Sequence, residues 1–153
     1  MNYKIQRLKL EDFPRFYKTA KSLIIDQFPH YPPNVRQQYW QVEFNAADLK
    51  KEIKSKRILI LTALNGTDII GFIYTRIDNG GGVECLWLII NEKYRHQGIG
   101  SRLLREVEKI VLKRKSHFIF LHTETQENIA FKFIKILHLC STTVHIPRNK
   151  SSV

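Results

Sequence analysis

The sequence predicts an α+β chain built on a mixed β-sheet, with an antiparallel meander first and a β-α-β unit after it. Two observations carry this. Three runs rich in strand-forming residues, at 58–61, 69–77 and 83–90, follow one another with only turns between them. Beyond them Leu103, Leu104, Val107, Ile110 and Val111 repeat at helical spacing, and Phe118-Ile119-Phe120-Leu121 returns as strand. A helix joining two strands is a crossover, so those two strands run parallel.

Taken in order, Tyr3-Lys4-Ile5-Gln6-Arg7-Leu8 alternates apolar and polar side chains, as a half-buried strand does. Glu11-Asp12 opens a helix with Phe13, Phe16, Tyr17, Ala20, Leu23 and Ile24 on one face, and acids in the first turn suit its dipole. Phe28-Pro29-His30-Tyr31-Pro32-Pro33 ends it, because proline cannot continue a helix and disfavours helix in the residue before. A second helical region spans 35–53. It is interrupted at Asn45-Ala46-Ala47-Asp48, where Asp48 is the candidate cap. In the meander, Asn65-Gly66 suits a hairpin turn and Asn79-Gly80-Gly81-Gly82 a flexible one. The run 83–90 is apolar on both faces, which places it centrally. A further helix over 127–139, a last strand at 142–146 and a polar tail from 148 complete the chain. No repeat, linker or low-complexity segment divides it, so 1–153 reads as one domain.

At 153 residues and 43% hydrophobic content the chain is long and apolar enough for a real core. No apolar run approaches the roughly 20 residues needed to cross a bilayer, and the N-terminus lacks signal-peptide regions. Cys85 and Cys140 are the only cysteines, which argues against a disulfide framework and for a cytoplasmic location. The net charge of +11 is uneven: 13 basic and 9 acidic residues up to Ile90, then 12 and 5. Such a surface draws anions, whether a phosphorylated cofactor, an acidic substrate or nucleic acid, or it is simply a solvated set of helix faces. No zinc spacing or RNA-stacking signature accompanies the charge, so nucleic acid is the disfavoured partner.

The stretch that carries chemistry is Arg95-His96-Gln97-Gly98-Ile99-Gly100-Ser101, between the run 83–90 and the helical pattern. Gly98 and Gly100 let the chain turn sharply and let a bulky anion reach the backbone. Unpaired N–H groups in a first helical turn, with the positive end of its dipole, favour phosphate. Lys93, Arg95, Arg102 and Arg105 add charge nearby. The two rival nucleotide motifs fit worse. There is no Gly-Lys-Ser/Thr of a P-loop, and a Rossmann fingerprint wants a third glycine near Leu103.

Arg95-x-x-Gly98-x-Gly100 resembles the acyl-CoA pyrophosphate loop of the GNAT superfamily of N-acetyltransferases, and Trp87-Leu88-Ile89-Ile90-Asn91-Glu92-Lys93-Tyr94 resembles that family's fourth strand and following turn. The resemblance is tight over 83–112 and loose elsewhere. It implies helices on both faces of the sheet, acetyl-CoA as cofactor and a primary amine, of a small molecule or a peptide, as acceptor. It further implies that backbone groups of Leu88, Ile89 and Ile90 hold the pantetheine arm, one amide polarising the thioester carbonyl. Glu84 matches the general-base glutamate of some members, and an apolar strand should raise its pKa; the alternative is an ordinary solvent-facing residue. His122, at the end of the next strand, is the second candidate base or a strand-capping histidine. His30, Tyr31, Tyr39 and Trp40 fall where the family's helical pair covers the acceptor, and either touch substrate or pack on the sheet.

The family's last motif is altered. Asn128, the cofactor-binding asparagine, and Ala130 stand one residue closer than usual, and Ile134 or Lys135 occupies the place of the tyrosine that protonates the leaving thiolate. The leaving group must then take its proton from water or another phenol. The segment 140–153 has room for one strand and a stub where the family has two strands, so a second subunit covering the sheet edge is an open possibility. A non-catalytic acyl-CoA-binding module is the alternative function.

Overall fold

The structure is a computed structural model, and it describes residues 2–27, 31–78, 81–114, 118–122 and 144–145. Six strands form one sheet in sequence order: β1 (Lys4–Arg7), β2 (Ile58–Asn65), β3 (Asp68–Ile77), β4 (Gly82–Ile90), β5 (Phe118–His122) and β6 (Val144–His145). The pairs from β1 to β4 are antiparallel, and β4–β5 and β5–β6 are parallel. The expected meander and β-α-β unit are therefore both present. β2 is longer than the apolar run 58–61, because Thr62 and Ala63 are buried and continue the ladder.

Among the described residues four α-helices flank the sheet: α1 (Phe13–Gln27), α2 (Pro33–Glu43), α3 (Ala46–Lys54) and α4 (Ile99–Lys113). The break between α2 and α3 falls where expected, but the cap differs. The Asn45 side chain accepts from the backbone N–H groups of Ala47 and Asp48, at 3.0 and 3.2 Å, so Asp48 lies inside the helix as a first-turn acid. Asparagine one residue before the first helical turn has the reach for two orphan donors; an aspartate three residues further in does not.

Alternation in β2 shows why both faces need covering. Ile58 and Ile60 enter one core with Phe13, Phe16, Trp40 and Phe44 of α1 and α2; Leu59 and Leu61 enter another with Leu103, Leu104 and Val107 of α4. A strand apolar on both sides is stable only with helices on both sides. The helical face predicted for α4 is the buried one: Leu103, Leu104, Val107 and Val111 are within 2% of full burial. Trp40 is 3% exposed, stacked on Phe44 with ring centroids 4.5 Å apart, so it packs on the sheet instead of meeting substrate. His30 and the side chain of Tyr39 lie outside the described residues, as do the expected helix 127–139 and the tail from 148. The last strand is described only at Val144 and His145. Among the described residues no helix is long and apolar enough to cross a membrane.

Candidate active site

β4 runs on past its ladder with β5. They pair from Gly82↔Phe118 to Cys85↔Leu121, and there the ladder stops although β4 continues to Ile90. β5 meanwhile pairs with β6 at Leu121 and His122. Among the described residues the β5-side edge of β4 from Leu86 to Ile90 carries no strand. Two irregularities shape this end of the sheet. Leu86 is an extra residue in β4, since Tyr74 faces Trp87 and Thr75 faces Cys85; Ile70 is an extra residue in β3. Bulges of this kind bend and twist the strand that holds them.

Gly71 then lets β3 close up on the end of β4. A Cβ there would lie 2.7 Å from Cδ1 of Ile90 and 2.9 Å from the carbonyl oxygen of Ile89. Sequence reading passed over Gly71, although a lone glycine within an apolar strand does signal a bulge or a close approach. The Ile70 carbonyl accepts from the Asn91 N–H at 2.9 Å, and the Asn91 side chain accepts from the Lys93 N–H at 3.1 Å. So Leu88, Ile89 and Ile90 are fixed from the β3 side and, among the described residues, have no strand paired on the other.

The loop that follows turns tightly. His96 has φ 59° and Gly98 φ 75°, two left-handed positions within three residues. Such turns make concave clusters of N–H groups that suit anions, and a non-glycine residue held there carries strain of the sort found at functional sites. Gly98 is the residue before α4, and no side chain caps the helix there. The contrast with α3, whose first amides Asn45 satisfies, is direct. A Cβ on Gly98 would meet nothing within 4 Å, so the space above this turn is open. Gln97 is exposed, Ile99 is buried under the helix, and Gly100 and Ser101 form the first turn.

The charges around the loop are partly engaged. Arg95 donates from Nε to the Ile90 carbonyl at 3.3 Å, tying the loop to the strand end. Arg105 donates from Nε to the Ser101 carbonyl at 3.3 Å, and Arg102 stacks over the Tyr3 ring at 5.2 Å, both on the outer side of α4.

Glu84 lies on β4 before the opening, on the face of α1–α3. It is not an isolated carboxylate in apolar surroundings, as the sequence suggested: Oε2 accepts from Arg76 Nη1 at 3.3 Å across the β3–β4 pair. The backbone of His122 stands opposite the point where the strands part, and its side chain lies outside the described residues, as does Asn128. Cys85 is buried, and burial, then the Glu84 charge, push its thiol up to about 12. It is protonated at neutral pH and closed to substrate, which unfits it as an acyl-accepting nucleophile.

A mixed sheet whose fourth strand leads through a tight turn into a helix has counterparts among known proteins. The family model described as "Acetyltransferase (GNAT) family" matches residues 11–138. The chain belongs to the GNAT acetyltransferase family. A spermidine N(1)-acetyltransferase of Thermoplasma acidophilum is 27% identical over 138 residues, 87% of this chain and 85% of that protein. The crystal structure of the PaiA N-acetyltransferase of the same organism, in complex with coenzyme A, is also 27% identical; the match covers 89% of this chain and 88% of that one, with a TM-score of 0.79. An aminoglycoside acetyltransferase from an uncultured soil metagenomic sample, at 16% identity and covering 95% and 97% of the two chains, shares the fold with a TM-score of 0.75. As a GNAT acetyltransferase, this protein draws its acetyl group from acetyl-CoA.

Proposed function

We propose that this GNAT acetyltransferase passes acetyl from acetyl-CoA directly to the primary amine of a small molecule, both held together in a ternary complex. The observation that carries the reading is the uncapped first turn of α4 beside the open edge of β4. In this reading the loop from Arg95 to Ser101 takes the pyrophosphate on its amides. Leu88, Ile89 and Ile90 hold the pantetheine arm along β4, and Asn128 adds a cofactor contact. Bound acetyl-CoA supplies the activated thioester. A backbone N–H at the strand end polarises its carbonyl, a donor preset by the Gly71 contact and the Asn91 bonds.

Alignment of amine and thioester supplies most of the acceleration. Glu84 removes the amine proton, directly or through water, from the face of the sheet that α1–α3 cover; His122 is the second candidate for that task. The buried, protonated Cys85 supports direct transfer over an acyl-enzyme. A small-molecule acceptor is supported by the relatives, which are named for spermidine and aminoglycosides.

Thiol release from acetyl-CoA across a panel of primary amines tests the proposal. Stoichiometric release with one class of amine is expected. Tight acetyl-CoA binding with no release from any amine would instead make the protein a binding module, the reading that Ile134 or Lys135 in place of a tyrosine favours.

A further inference from the structure

Arg36 lies in the first turns of α2 and reaches the end of α1. Its Nη1 donates to the Ile25 carbonyl at 3.1 Å, which sets a cation at the negative end of that helix. This bond uses one of the five guanidinium donors. Nε is buried with no hydrogen-bond partner, the one buried side-chain nitrogen or oxygen in that state among the described residues. Among the described residues no carboxylate pairs with Arg36 either. The other half-buried arginine described, Arg95, satisfies its Nε on the Ile90 carbonyl at 3.3 Å. A covered cationic donor without a partner is costly, and it marks a place where a ligand can supply one. With Nη1 spent, the edge left is Nε with Nη2, the side of a guanidinium that grips both oxygens of a carboxylate.

Arg36 shares a face of α2 with Trp40, four residues on, and Phe44 follows after four more. Trp40 and Phe44 stack at 4.5 Å, and Phe44 meets Trp87 at 5.7 Å, on β4 just past its last pair with β5. About 12 Å of helix rise therefore lies between Arg36 and that stretch of β4. An arginine side chain and a short carbon chain cover such a span between them. Resting on the transfer reading above, in which the arm lies along β4 with its phosphates at α4, the acceptor enters from the α1–α3 side. We propose that Arg36 is a specificity-determining residue on that side: its Nε–Nη2 edge takes a carboxylate at the far end of the acceptor, so the preferred substrates are primary amines that carry a carboxylate. A lysine would offer a point charge there, whereas the arginine fork offers two parallel donors. Arg36 is half-buried, so the pair is screened less than an exposed one would be. The net charge of +11 draws such an anionic group from solution.

The test measures thiol release by the full chain at saturating acetyl-CoA with matched acceptors: the ω-amino acids from β-alanine to 6-aminohexanoate, each against the n-alkylamine of equal carbon number. Wild type, Arg36→Met and Arg36→Lys are compared. Wild type is expected to favour at least one ω-amino acid over its alkylamine by about tenfold or more in kcat/KM, the scale of a hydrogen-bonded charge pair. Arg36→Met should bring that pair near parity, raising KM for the amino acid far more than for the alkylamine. Arg36→Lys keeps the charge without the fork and should keep only part of the preference. Acetyl-CoA affinity should stay the same in both variants. A purely structural arginine would instead slow both members of a pair alike. Methionine keeps the apolar stem and removes the unpaired donor, and the lysine variant carries the comparison even where Arg36→Met does not fold. Parity throughout the series in wild type, or a preference that survives undiminished in the variants, overturns this inference alone. No thiol release from any amine in a protein that binds acetyl-CoA overturns the transfer reading, and this inference with it.

Discussion

Gly71 and Glu84 show how single residues set up the site. At Gly71 the missing Cβ makes room for the Ile89 carbonyl and the Ile90 side chain. Gly71→Ala should destabilise the fold by about 1–3 kcal/mol, as overpacking does, because backbone is among the atoms that must move. The shift falls on the strand end proposed to hold the arm, so acetyl-CoA affinity should drop too; chemical denaturation and a thermal-shift titration read the two effects. Glu84→Gln keeps the size and removes the base. The expected result is a loss of about a hundredfold or more in kcat at neutral pH with acetyl-CoA affinity unchanged, and an unchanged kcat would transfer the role to His122. Cys85 gives a pH prediction. Its thiol titrates near 9.0 when unfolded and about 12 in the fold, so between those values the native state binds the extra proton. Its contribution to stability is full below pH 9 and declines as pH rises towards 12. Cys85→Ala should flatten that decline in pH-dependent melting and leave turnover intact.

At the scale of elements, the strands and helices were legible wherever one pattern decided them. The alternating run at β1 and the helical stripe of α4 each formed where expected. The tight turn at Arg95–Ser101 was legible because Gly98 and Gly100 stand between an apolar strand and a helical stripe; its use by phosphate is the proposal made above. What sequence could not give was register. The bulges at Leu86 and Ile70 arise from pairing between strands, and nothing local to either residue announces them. For the same reason Glu84 looked isolated: its partner Arg76 is eight residues away and meets it only across the β3–β4 ladder. The cap of α3 was missed by a choice between two neighbouring acceptors, and it has a consequence. Asn45→Ala should cost about 1 kcal/mol in denaturant midpoint analysis, whereas Asp48→Ala, which loses only a dipole contact, should cost less.

For the whole molecule, the two faces of the sheet divide the labour. α4 on one side brings an uncapped helix start and much of the positive charge to the end of β4; α1–α3 on the other bring aromatic packing behind Trp87. The excess of charge after Ile90 belongs to the part of the chain proposed to meet phosphate. Acetyl-CoA affinity should therefore weaken as ionic strength rises from about 0.05 to about 0.5 M, because screening shortens the reach of those charges. An affinity indifferent to salt would mean that the charge serves solubility alone.

The central claim is that the turn before α4 holds acetyl-CoA, and it rests on Gly98, which adopts φ 75° under open space. Calorimetric titration of acetyl-CoA into wild type and Gly98→Val tests it most directly. A β-branched residue at that φ costs about 1–2 kcal/mol of backbone strain and displaces the amides, so binding should weaken by about tenfold or more in a variant that still melts cooperatively. Equal affinity in the two proteins, or no binding by wild type, would contradict the account.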